Sequence, residues 1–155
     1  VRDGHLWQLV DAMKTSEIVA TARGAIGTPY FHQGRVAGLA LDCAGVPVHV
    51  AKSLGVPLVD YTRYGRLPVP AEMRAALDAH LERVPTEQMQ PGDVVWIRFE
   101  KQPQHLAIVG DYVHGGLSLI HAYNSAGVNK VVEHRMDDVW RSRIVACWRY
   151  PGVEA

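Results

Sequence analysis

Apolar positions recur at helical spacing in the first half of the chain and crowd into short blocks in the second. Ile18, Val19, Ala22 and Ile26 predict a first helix, with Thr15 or Ser16 as its cap and Gly27 as its stop. The following stretch, GTPYFHQGRVAGLALD, is rich in glycine and turn residues and reads as a long loop. Asp42 then stands where an N-cap belongs. Val46, Val50 and Leu54 predict a second helix over Cys43 to Leu54, ended by Gly55. Pro47 is tolerated near the start, where the N–H groups have no intrahelical partner. Residues 56–69 form another loop. Pro70 opens a third helix, PAEMRAALDAHLERV, with Met73, Leu77 and Leu81 on its buried side.

From residue 91 the period changes. PGD reads as a turn and VVWIRF as a strand. HLAIVGDY (105–112) and LSLIHAY (117–123) are two strands joined by a hairpin at His114, Gly115 and Gly116. After an NSAG loop, VNKVVEHR is a fourth strand. A short polar turn with Trp140 leads to RIVACWRY as a fifth. Helices first and consecutive short strands afterwards argue an α+β fold, with N-terminal helices packed on a roughly five-stranded antiparallel sheet.

Composition narrows the classes. At 155 residues the chain suits one domain with a core of its own. Lys plus Arg and Asp plus Glu number 16 each, so charge makes no case for nucleic acid or an anionic membrane as partner. No stretch approaches the roughly 18 apolar residues of a membrane span. The opening VRDGHLWQLVDAMKTSEIV lacks a basic region followed by an apolar core, so no Sec signal peptide is read there. Residues 1–12 read as an N-terminal extension or an expression remnant, and the domain is expected over 13–152. The cysteines are Cys43 and Cys147. Neither lies in a CxxC, which speaks against a thiolate zinc site, and a disulfide scaffold would carry more of them.

Candidate chemistry starts at Cys43. At a helix start the dipole and the free N–H groups favour an anion, so its thiol pKa is expected to fall. Position alone leaves two readings open, a nucleophile or a buried core cysteine. His105 begins one strand and His121 lies near the end of the next. If those strands pair through the 113–116 turn, opposed positions sum to about 228, and the two histidines become near neighbours. Cysteine, histidine and a third polar group are the usual set for thiol acyl transfer. The same Cys43, His105 and His121 could instead bind zinc, although no fourth ligand suggests itself.

The run GTPYFHQG…LDCAG, then QPGDVVWI, QHLAIV and LIHAY, resembles the NlpC/P60 family of cell-wall peptidases over roughly residues 15–150. The resemblance implies a papain-like α+β core and hydrolysis of peptide stems in peptidoglycan, at the bond from γ-D-glutamate to a diamino acid. It puts the nucleophile on Cys43, the base on His105 and the orienting residue on His121. It also implies that Tyr30 lies beside the thiol and that Asp42 meets the free amino end of the substrate. No metal or cofactor is needed. Ala44 stands where the family often has serine, and HQG where YGG is commoner. HQG and the C-terminal HRMDDVWRSRIVACWRYPG resemble the tail assembly proteins of long-tailed phages. That version implies other tail proteins as partners, synthesis in the cytoplasm and action at the wall from the virion. Two other readings remain: a catalytically silent wall-binding or tail-assembly module, and a related thiol amidase or acyltransferase.

Overall fold

The computed structural model describes residues 13–60, 64–65, 69–99, 103–125 and 127–154. The extension over 1–12 and parts of the 56–69 loop lie outside them. Strand β1 (Met13–Lys14) leads into helix α1 (Thr15–Gly24). The helix begins at Lys14, whose backbone N–H donates to Glu17, rather than on a Thr15 or Ser16 side chain. Ile26 falls beyond its end and is exposed, because the chain turns at Gly27 with φ +91°. A hairpin of β2 (Arg35–Val36) and β3 (Ala40–Leu41) follows inside the long loop. Helix α2 is Gly45–Ser53, two residues later than Cys43. Helix α3 is Pro70–His80.

The third helix is shorter than its sequence pattern. Leu81 takes an extended backbone, and Glu82–Val84 becomes strand β4, paired with the last long strand. The sheet therefore has six strands rather than five. They are β4, β5 (Val94–Arg98), β6 (Pro103–Asp111), β7 (Leu117–Ser125), β8 (Val128–Arg135) and β9 (Ile144–Arg149), ordered β4-β9-β5-β6-β7-β8 and antiparallel throughout. The segment around Trp140 is a short helix, α4 (Asp138–Ser142), capped by the Asp137 carboxylate. A last strand, β10 (Val153–Glu154), pairs in parallel with β1 and ties the two ends of the fold together.

The sheet is buried on both faces, which explains why VVWI and LAIV run apolar without alternation. Val94, Trp96, Leu106, Ile108, Ile120 and Trp148 pack with Ile18, Val46, Val50 and Leu77 of the three helices. Val95, Ile97, Ala107, Val109, Leu119 and Cys147 form a second core with Met136 and Trp140. The PGD turn locks the first core in place. Gly92, with φ +94°, lies close enough to Thr15 and Ile18 that a side chain there would press on α1. Asp93 is buried and accepts a forked pair of hydrogen bonds from Arg149 at 2.9 and 3.0 Å.

Candidate active site

Cys43 sits in the turn between β3 and α2, carried there by close packing of two glycines. A Cβ on Gly45 would stand 2.3 Å from the Gly34 carbonyl oxygen, so the helix start and the loop touch backbone to backbone. Asp42 holds the same junction. Its buried carboxylate accepts from the backbone N–H of Gln33 at 2.9 Å and of Gly45 at 2.8 Å, and pairs with Arg35 at 2.9 Å. The Tyr64 hydroxyl also donates to it. Asp42 thus serves α2 as a cap from two residues further out than the geometric N-cap, Ala44. Its oxygens face the loop and Arg35.

The thiol pKa moves opposite to the expectation from helix position. Cys43 is only 8% exposed, and burial, reinforced by the Asp42 charge, pushes its thiol up to about 12. Backbone groups of Leu106 and Ala44 act in the other direction without offsetting it. The Leu106 contact sets the sulfur beside the residue that follows His105. Desolvation outweighs the dipole because the cysteine precedes α2 instead of standing on its first exposed turn.

The histidines meet as the hairpin register requires. Ile108 opposes Ile120 and Asp111 opposes Leu117, so opposed positions sum to 228. His105 and His121 are then diagonal neighbours on the face of Ala107 and Val109. His105 Nε2 and His121 Nδ1 are 2.6 Å apart. Burial holds both rings neutral, with the His105 pKa lowered to about 3 and that of His121 to about 2. At rest the thiol and both imidazoles are therefore neutral.

The line does not stop at His121. Its Nε2 lies 2.8 Å from Nε2 of His134 on β8. Aromatic rings cover the row: Phe99 is 5.1 Å from His105, and Trp140 is 5.4 Å from His121 and 4.7 Å from His134, centroid to centroid. Tyr123 packs 5.2 Å from His121. Arg143 lies over Phe99 and Trp140. Each histidine meets the next along a line, whereas metal ligands would converge on one centre; no metal-ligand cluster occurs among the described residues.

Tyr30 is half-buried, bridged to Leu41 two residues before the thiol, and its N–H donates to the Asn129 carbonyl at 2.9 Å. A cavity of about 110 Å³ opens beside Ala44 and Leu106, the chain neighbours of Cys43 and His105. Pro47, Leu58, Met73 and Leu77 line it, with Arg35, Asp60, Tyr64, Glu72 and His80 among its polar members. The residues not anticipated are His134, Trp140, Phe99, Arg35 and Tyr64. Only His134 left a signal, as a third histidine on the next strand of the same meander.

The NlpC/P60 family model matches residues 27–149, from the GTPY loop to the end of β9. The chain belongs to the NlpC/P60 family. Solved structures agree on the NlpC/P60 fold. An NlpC/P60 family protein from Bacillus cereus superposes with a TM-score of 0.66 at 17% identity, over 91% of this chain and 41% of that one. The NlpC/P60 domain of the peptidoglycan hydrolase SagA gives 0.61 at 21% identity, over 86% and 97% of the two chains. NlpC2 from Trichomonas vaginalis gives 0.61 at 16% identity, over 93% and 49%. This chain spans about two fifths of the Bacillus cereus protein. A comparison with curated proteins finds no match.

Proposed function

We propose that this NlpC/P60 domain is a cysteine peptidase that cuts peptide stems of bacterial peptidoglycan, at the γ-D-glutamyl–diamino acid bond. The observation that carries the reading is the buried His105–His121 pair, on a strand whose next residue, Leu106, contacts the Cys43 thiol through its backbone, within the NlpC/P60 frame. Likeness to the domain of a peptidoglycan hydrolase supports the substrate class. The cavity lined by Ala44 and Leu106, the chain neighbours of Cys43 and His105, gives the stem room in this reading.

In this scheme Cys43 attacks the amide carbonyl as His105 takes the thiol proton. Because thiol and imidazole rest neutral, transfer accompanies attack instead of preceding it. The backbone amide of Cys43 steadies the oxyanion. His105 then protonates the leaving amine, and water activated by His105 releases the acyl group. His121 orients the base. Tyr30 borders the substrate in this reading, and the carboxylate of Asp42, ion-paired with Arg35, supplies the negative charge for the amino end of the stem.

We further propose a phage or prophage tail setting, with synthesis in the cytoplasm and delivery to the wall by the particle. The HQG loop and the C-terminal HRMDDVWRSRIVACWRYPG support it. The test is digestion of purified peptidoglycan, with fragments identified by mass spectrometry. Wild type should release stems cut at the γ-D-glutamyl bond, Cys43→Ala should release none, and EDTA should have no effect. Retained cleavage in Cys43→Ala, or loss with EDTA, overturns the scheme.

A further inference from the structure

The row of histidines ends on a group that can only accept. His134 Nδ1 lies 2.9 Å from the Arg135 carbonyl oxygen, so that nitrogen carries a hydrogen and donates it. In neutral His134 the other nitrogen, Nε2, is then an acceptor. His121 must donate to it from Nε2, which leaves His121 Nδ1 as an acceptor. His105 must in turn donate from Nε2 to His121. The outcome at the inner end is a single tautomer, in which His105 Nδ1 holds a lone pair and no proton.

We infer that His134 is a positioning residue for this site: anchored on the Arg135 carbonyl, it sets through His121 the tautomer in which His105 Nδ1 can accept the Cys43 proton. This rests on the reading of Cys43 and His105 as nucleophile and base. The same geometry makes His134 a gate. Once protonated, it donates from both nitrogens. His121 must then accept at Nε2 and donate from Nδ1, and His105 accepts at Nε2 and carries its hydrogen on Nδ1. Both histidine–histidine hydrogen bonds survive with their direction reversed, the bond to the Arg135 carbonyl is kept, and the base is blocked without being charged. A charge on His134 also opposes protonation of His105 and His121.

The position of His134 suits the role. It is half-buried, while His105 is 7% exposed and His121 fully buried, so it is where the row meets water. His121 faces it from β7 and the Trp140 ring from α4, with Arg143 stacked over that ring. Along β8 its neighbours are Glu133, turned to Arg23 and Ser118, and the exposed Arg135. Asp137 is engaged in capping α4.

Nitrogen-15 spectra of the histidines and alkylation of Cys43 by iodoacetamide, located by peptide mapping, test this without a wall substrate. Wild type should show Nε2–H tautomers at His105 and His121 and an Nδ1–H tautomer at His134. His134→Gln keeps an acceptor that cannot be protonated. It should retain both inner tautomers and alkylate within about threefold of wild type, with the acidic limb of the rate moved to lower pH. His134→Phe has no acceptor and should lose the single tautomer, with alkylation slowed by about tenfold or more, short of the ~10⁴ loss seen when an orienting partner enforces the wrong tautomer. Wild-type tautomers and an unchanged pH profile in both variants would overturn the inference. Expected tautomers and alkylation with no cleavage of peptidoglycan would uphold the relay and reject the substrate.

Discussion

At the scale of single residues, burial decides the protonation states. The pKa values of His105 and His121 are lowered to about 3 and about 2 from 6.5, chiefly because burial desolvates their rings. This links them to stability. Below about pH 6.5 the unfolded chain takes up protons that the folded chain refuses. The stability they contribute is therefore complete above that value and drains away as pH falls from there toward 3. The urea midpoint at about pH 5 should lie below that at pH 7.5. His121→Asn should shrink the difference, since one refusing group is gone. An undiminished difference in the variant would show that other groups set the acid limb. Cys43 stands two residues before α2, close to the helix start that its sequence position suggests, yet its thiol is pushed up instead of down. Helix position is visible in a sequence, but the depth of burial at Cys43 depends on Leu106 and the loop through Asp42.

At the scale of elements, the junction of the 28–42 loop with α2 presents the thiol. The family pattern DC–x–G has a plain steric cause here, since any side chain on Gly45 would strike the Gly34 carbonyl. Gly45→Ala should cost about 1–3 kcal/mol by overpacking a backbone contact that cannot yield. Thermal melting should report it as a lower Tm, and activity should fall further than stability because Cys43 moves with the loop. An unchanged Tm would mean that the loop gives way freely. The hairpin of β6 and β7 was the most legible element. The apolar blocks and the His114-Gly115-Gly116 turn specify its register, and with it the meeting of His105 with His121. The end of α3 was less legible. LERV continues the helical pattern, yet Leu81 turns extended so that Val84 can join the second core beside Cys147.

At the scale of the whole molecule, long-range ion pairs fasten the sheet to its turns. Asp93 is buried against Arg149, 56 residues away in sequence. Arg149→Leu would leave a carboxylate enclosed without its guanidinium and should cost about 3 kcal/mol in urea unfolding, with the site chemistry intact. A cost near zero would mean that water or Gln90 suffices for Asp93. The sequence by itself determined the order of the three main helices and of five of the six sheet strands, the α+β class, the hairpin register and the meeting of His105 with His121, because each rests on local period or turn chemistry. Only the tertiary structure decided that the thiol is buried and neutral, that Asp42 is closed in by Arg35 and Tyr64, and that the histidine row runs on to His134 beneath Trp140. Those depend on contacts between segments distant in the chain, and no local period encodes which side chains such segments bring together. Cys43 and the 28–42 loop stand apart in sequence from β6, β7, β8 and α4, and the packing of that loop and α2 onto the sheet brings them together.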